Sequence, residues 1–435
     1  MMKASEDVFE RFSFLPLAAK LHRNPYLRAI RHSFFTLMPF LLAVYFLDIL
    51  NSLLLDPWSL IMGEDGLNLG FWLTGGLSGD AYRQHGLVKA LASCRHVVGI
   101  GYGLISILLA LLFARNLALL WDADERMTSF CAVAAFLFFL PPATELETDF
   151  VDYFSGRSFL TAFLTAFLSA RLFSRLSHWK RIQFSLPDFL PPSLTRYLSL
   201  MFPVGMTILF LAIFSVVFWG AWTLAEGWIR DGVPIWIFQH PLVALLYQFL
   251  VWLLWWFGIP GYGVTSFFQQ LAYVPAQMGN QSGDTAYVFT SGFFEAGLLH
   301  VLGLAIAVLV FSHHESWRSI TKFSLPPLLF NLQEPLMFCM PVVLNPMFLI
   351  PYLLAPLANT VIGWIAISWG IVPVFKTGVT WTMPLLLSGS LGTDSFMGGT
   401  LQVVWLVMDI FIYAPFVITA NMLEFQNEEE DGEEA

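Results

Sequence analysis

The sequence predicts an all-α polytopic membrane protein, and three observations carry that prediction. Hydrophobic residues make up 57% of the 435 and charged residues only 12%, about half the share found in a soluble globular chain. Mean hydropathy is +0.68, and 43 Phe with 16 Trp leave too little polar surface to clothe a water-soluble particle of 49.1 kDa. The apolar residues also gather in runs close to the roughly 20 that a helix needs to cross a bilayer.

In chain order the runs are 33–55, 96–114, 129–142, 158–175, 199–223, 241–259, 293–312, 347–372 and 401–421. This predicts nine to ten transmembrane helices. Residues 1–32 are polar and basic, with Lys20, Arg23, Arg28 and Arg31 and no small-residue cleavage site, so a mature cytoplasmic N-terminus is expected. Segment 158–175 scatters Ser and Thr through an amphipathic run (SFLTAFLTAFLSARLFSR) and is expected to pack inside the bundle. Residues 422–435 close with NEEEDGEEA, six acidic residues and no base, and read as a solvated, disordered tail. Much of the net charge of −10 sits there, and nothing in it points to nucleic acid.

Excess Lys and Arg marks cytoplasmic loops. By that rule the N-terminal bases, the loop carrying Arg171, Arg175, Lys180, Arg181 and Arg196, and HHESWRSITK (313–322) share one side, while the acidic ELETDFVD (145–152) faces the other. Four crossings link the first two basic regions correctly. The count then fails by one before Lys322, so something between 260 and 292 must cross or re-enter. That stretch follows LWWFGIPGYG (254–263) and is only moderately apolar. Non-helical backbone persists at membrane depth only when buried in protein or lining a watery cavity, which places a cavity near Pro260.

A second irregular region is SLPPLLFNLQEPLMFCMPVVLNPMFLIPYLLAP (324–356), with seven prolines amid aliphatics. Each proline removes a donor and disrupts a continuous helix, so a hairpin or broken helix is expected. Transporters place substrate sites at such discontinuities. Glu334 lies inside it, in FNLQEP (330–335), where an intramembrane carboxylate costs roughly 2.5–3.5 kcal/mol on insertion scales. Such a group faces a ligand, a partner or water. Asn331, Gln333 and Asn345 add donors and acceptors beside it.

Trp381, in VTWTMP (379–384), suits stacking on the apolar face of a sugar ring and equally suits a membrane interface. Trp255 and Trp256 carry the same two readings. Asp48, Asp409 and Glu295 lie in or near apolar runs, toward span ends or paired within the bundle. His300, in AGLLHVLGL, fits a neutral histidine bonded to a neighbouring helix. No HExxH, GxSxG, Walker or CxxC pattern occurs, and Cys94, Cys131 and Cys339 lie far apart. No cofactor, metal or disulfide framework is expected. The residues describe a transporter with a polar, carbohydrate-compatible cavity.

The order of motifs resembles enzyme IIC, the membrane subunit of the bacterial phosphotransferase system, in its lactose/cellobiose/diacetylchitobiose branch. The resemblance runs through LPLAAKLHRNPYLRAIRHSFFTLMPFLL (15–42), LPDFLPPSLTRYLSLMFP (186–203), WWFGIPG (255–261), the 324–356 block and TWTMPLLLSG (380–389). It implies an EIIC-type transporter fold of about ten spans with re-entrant hairpins, assembled as a homodimer in the bacterial inner membrane with both termini cytoplasmic. By the same resemblance, 33–230 is the dimerisation side and 231–421 the substrate-binding region. The substrate would be a disaccharide and the partners cytoplasmic EIIB and EIIA. Glu334 and Asn331 match sugar-binding positions, with Gln333, Trp256, Trp381 and His300 completing the candidate site.

Two departures stand out. The family histidine of Phe-Gly-Ile-His-Gly is Pro260 here, which has no side chain to orient a hydroxyl or take its proton. Phosphotransfer competence is therefore left open. The glycine-rich stretch lining the family site is Ala296, Gly297, Leu298, Leu299, His300 and Val301 here, implying a smaller or drier pocket. His240 precedes Pro260 by about 30 Å of helix and belongs to the opposite side of the bilayer, leaving His300 as the alternative imidazole. Beside the permease stand two other readings, a non-transporting sugar sensor and a facilitator uncoupled from phosphorylation.

Overall fold

Apolar runs interrupted by Gly and Pro become helices joined by sharp corners, and no β-strand occurs among the described residues. The structure is a computed structural model that describes residues 24–50, 54, 61–63, 67–140, 158–179, 181–182, 192–232, 234–340, 342–343, 345–379 and 383–433. Among the described residues, six helices are long and apolar enough to cross a membrane: Pro25–Val44, Phe159–Ser177, Tyr197–Ala225, Ser291–Phe311, Met347–Ser368 and Phe396–Asn421. Ile105–Leu120 and Pro241–Trp256 are shorter apolar helices. The chain forms two compact units, Ala29–Ala225 and Glu226–Ala435 joined by the N-terminal residues to Arg28.

In the first unit the long helices are α1 (Pro25–Leu50), α2 (Gly86–Gly103), α3 (Ile105–Leu120), α4 (Glu125–Phe138), α5 (Phe159–Ser177) and the greater part of α6 (Met201–Gly232). The predicted amphipathic segment is α5, and it packs on α3 and α4. Ala162, Ala166 and Ala170 recur at helical spacing on its buried face, against Ala110, Ala114 and Ala132. Small residues let backbones approach where lipid supplies no hydrophobic drive between helices.

The second unit contains α7 (Pro241–Trp256), α8 (Val274–Ser282), α9 (Ser291–Ala296), α10 (His300–Phe311), α11 (Glu315–Leu328), α12 (Glu334–Cys339), α13 (Pro346–Ser368), α14 (Leu387–Thr393) and α15 (Phe396–Glu433). α13 packs on α7 and α15, and α15 packs on α10 and α14. Aromatics fill the centre, with Trp252, Tyr273, Phe293, Tyr352, Trp405 and Tyr413 fully buried. Gly303 lets α10 and α15 approach closely: a Cβ there would collide with the Asp409 Cβ of α15.

One expectation needs correction. From Pro346 the chain runs as one helix to Ser368 with Pro351 and Pro356 inside it, so these two prolines do not break it. A proline forfeits one donor, and surrounding protein can absorb that loss.

Candidate functional site at the FNLQEP corner

Pro326 and Pro327 lie in the last turns of α11, so the helix ends there. The Leu332 amide donates to the Pro327 carbonyl and the Asn331 amide to the Leu328 carbonyl, both at 3.0 Å. This is a Schellman closure, with Asn331 in the left-handed position at φ 61°. Glycine and asparagine tolerate that conformation best. The corner throws Gln333 into the cap of α12 and starts the next helix at Glu334, with Pro335 in its first turn. Asn331, Gln333 and Glu334 are all buried, at 8%, 6% and 8% exposure.

The polar atoms of the corner are not all used by the protein. Asn331 Nδ2 donates to the Met383 carbonyl at 3.0 Å, tying the methionine of the TWTMP motif to the corner. Gln333 Oε1 is buried with no hydrogen-bond partner among the described residues. Trp381 lies outside the described residues.

The VLNP segment holds a second element of the site. Asn345 caps α13 by accepting from the Met347 amide at 3.0 Å. Its backbone carbonyl accepts from Trp256 Nε1 at 3.1 Å, so Trp256 is pinned at the end of α7 and buried. That helix closes with another Schellman arrangement, Gly258 (φ 77°) donating to Trp255 and Ile259 to Leu254. Pro260 follows as the cap of a short turn, Gly261–Val264.

The chain then doubles back along α7. Gly261 presses against the Val251 backbone of α7. Tyr262 donates to Gln248 Oε1 at 3.2 Å, and Gln269 Nε2 donates to the Tyr247 hydroxyl at 2.8 Å. A π-helical turn, Gln269–Tyr273, carries the chain into α8. His240 caps the opposite end of α7, far along the helix from Pro260.

His300 is fully buried at the start of α10. Its Nδ1 lies 2.8 Å from the Tyr413 hydroxyl, and its ring meets Trp252 edge-on at 4.0 Å and Tyr352 at 5.1 Å. The candidate imidazole is thus caged by aromatics. Asp409 is also fully buried, both carboxylate oxygens 3.0 Å from Asn359 Nδ2. Of the two positions weighed for it, the structure selects pairing within the bundle. The Asp48 side chain lies outside the described set.

Several residues of this region escaped sequence reasoning. Gln402 donates to the Ala296 carbonyl at 3.0 Å and to Ser388 Oγ at 2.7 Å, and accepts from the Gly389 amide at 2.9 Å. It fastens the rewritten 296–301 segment to α14 and α15. Its signal was a lone amide in the apolar run LQVVWLV, where polar groups are expensive. Tyr352 and Tyr413 were masked by their aromatic neighbours.

The sequence profile of the family described as "Phosphotransferase system, EIIC" matches residues 31–356. The chain belongs to the phosphotransferase system EIIC family. An oligo-beta-mannoside-specific EIIC component of Bacillus subtilis (strain 168) is 26% identical, over 97% of this chain and 96% of its own length. A lactose-specific EIICB component of Staphylococcus aureus (strain N315) is 26% identical over 97% of this chain and 73% of its own. Among solved structures, the transporter ChbC superimposes with a TM-score of 0.54 at 21% identity, over 97% of this chain and 99% of that one. ChbC is the IIC component of the N,N'-diacetylchitobiose-specific phosphotransferase system, and at that identity the likeness concerns the fold. This EIIC is therefore a multi-pass, all-helical membrane transporter.

Proposed function

We propose that this EIIC is a permease subunit that binds a disaccharide of the cellobiose, chitobiose or lactose type and carries it across the bacterial inner membrane. The observation that carries the proposal is the buried FNLQEP corner, where Glu334 stands beside Asn331 and a Gln333 carbonyl oxygen that the described protein groups leave unpaired. Burying a carboxylate and an amide oxygen is costly, and sugar hydroxyls are natural donors to both. The specificities named for the relatives, oligo-β-mannosides, lactose and diacetylchitobiose, support a substrate of this size. Cytoplasmic EIIB and EIIA are the proposed partners, and the N-terminal bundle 33–230 the proposed homodimer side.

Pro260 favours a second reading of how translocation ends. It occupies a turn cap and supplies no proton acceptor, so sugar can leave unphosphorylated, as in a facilitator, or stay bound, as in a sensor. The leading reading is tested by equilibrium binding of radiolabelled cellobiose, lactose and diacetylchitobiose to purified protein. Glu334→Gln should weaken binding at least tenfold, because a charge-assisted hydrogen bond is replaced by a neutral one of about half its strength and a competing donor. Unchanged binding would remove Glu334 from the site.

A further inference from the structure

The outer face of α5 changes character abruptly. Leu160, Leu164, Phe167 and Leu168 are exposed along it, and the same stripe continues with Arg171 and, one turn later, Arg175, both exposed. The opposite face is the alanine seam packed on α3 and α4. Large apolar side chains left open on a membrane helix face lipid, while a charge in the hydrocarbon is costly. The stripe therefore leaves the hydrocarbon between Leu168 and Arg171. The two helices packed on α5 cross the same level. α3 ends with Leu119 and Leu120 exposed and Trp121 as its cap. α4 carries exposed Arg126 in its first turn and exposed Phe130 one turn further in. Trp and cationic side chains gathered at one depth mark the headgroup layer.

Within that layer Arg171 is held in place without being neutralised. Its guanidinium carbon lies 5.0 Å from the centre of the Trp121 ring. Trp121 is itself fixed on α5, its ring against Phe167 at 5.5 Å and its carbonyl accepting from Ser174 Oγ at 3.2 Å. A stacked guanidinium keeps its N–H donors at its edge. Arg115, on neighbouring α3, shows the contrast: its Nε is paired with Glu125 at 2.8 Å. Among the described residues neither Arg171 nor Arg175 meets a carboxylate.

We propose that Arg171 and Arg175 form a headgroup site for an anionic phospholipid, with Trp121 orienting Arg171 and the apolar stripe of α5 receiving the acyl chains. The phosphate would accept N–H bonds from the two guanidinium groups, which match its oxygens in a bidentate way. A phosphatidylglycerol headgroup brings a net negative charge, whereas phosphatidylcholine carries its own cation and gains less from the pair. The continuity of the arginines with Leu164, Phe167 and Leu168 selects a lipid over a soluble phosphate. The site lies in the first unit and is independent of the sugar reading.

The test titrates the purified full chain in detergent with dioleoylphosphatidylglycerol or dioleoylphosphatidylcholine and counts the lipid retained by native mass spectrometry. The wild type should bind phosphatidylglycerol about tenfold or more tightly than phosphatidylcholine. Arg171→Gln with Arg175→Gln should bring the two lipids to nearly equal affinity. Arg175→Gln alone changes an exposed side chain outside the Trp121 stack and should lower the preference severalfold even if the double variant folds poorly. Lys376→Gln, which removes an exposed cation of the other unit, should leave the preference intact. Glycerol phosphate, the headgroup chemistry without acyl chains, should not displace the bound lipid. The inference is overturned if the wild type shows no preference or if both arginine variants keep it. It is equally overturned if Lys376→Gln erodes the preference as much as they do, or if glycerol phosphate displaces the lipid at equal concentration.

Discussion

Replacing Gly261 with alanine should detach the turn after Pro260 from α7. A methyl group there would lie inside the Val251 carbonyl oxygen, 2.7 Å from the Val251 carbonyl carbon and 2.9 Å from its Cα. Both sides of the clash are backbone, and Val251 is fully buried in the middle of α7, so no side chain can swing away. Ordinary van der Waals contact with the carbonyl oxygen would need the turn to retreat by more than about 1 Å, and overpacking of this kind costs about 1–3 kcal/mol. The retreat would also strain the bonds from Tyr262 to Gln248 and from Gln269 to Tyr247, worth about 1 kcal/mol each. A destabilisation of about 2–4 kcal/mol follows. Thermal unfolding in detergent, followed by tryptophan emission, should show a clear fall in apparent Tm. Gly220→Ala is the matched control: it lies within α6, and its added Cβ would meet nothing within 4 Å. That change should be neutral or mildly stabilising, since glycine weakens a helix interior by about 0.5–1 kcal/mol relative to alanine. Equal melting of Gly261→Ala and wild type would refute the close packing of the turn on α7.

Two other outcomes follow from the same geometry. Asn359→Leu removes the amide that holds both Asp409 oxygens and should cost about 1–3 kcal/mol, as leaving a buried acceptor without its donor does. Adding Asp409→Leu should recover part of that loss, and purely additive melting shifts in the double variant would argue against the pairing. Pro260→His restores the imidazole of the family motif at a cap whose backbone (φ −60°, ψ 99°) any residue can adopt. In membranes supplied with phosphorylated EIIB, it should raise the yield of sugar phosphate over wild type, and an unchanged yield would show that more than this side chain is missing.

The spans and the site corner were legible because their signals are local. Hydropathy marks a membrane helix within its own residues, and the α5 stripe of Ala162, Ala166 and Ala170 shows its buried face by spacing alone. The end of α7 before Pro260 was legible through Gly-Ile-Pro-Gly, whose glycine and proline stop a helix. Glu334 stood out because a carboxylate is rare between aliphatics. What the sequence could not reveal depends on neighbours distant in the chain. Pro351 and Pro356 sit inside a continuous α13 because packing against α7 and α15 outweighs the lost donors. The hydroxyls of Tyr352 and Tyr413 are alike in sequence, yet only Tyr413 meets an imidazole. Gln402 reaches back across more than a hundred residues to Ala296, a partner that no periodicity announces.

The most direct test of the account is uptake of a radiolabelled disaccharide into vesicles containing the full chain, with and without phosphorylated EIIB. The account predicts saturable entry of sugar that is lost in Glu334→Gln; entry that needs phosphorylated EIIB would select the coupled permease, and entry without it the facilitator reading that Pro260 raises. Saturable binding with no entry under either condition, or entry undiminished in Glu334→Gln, would contradict it.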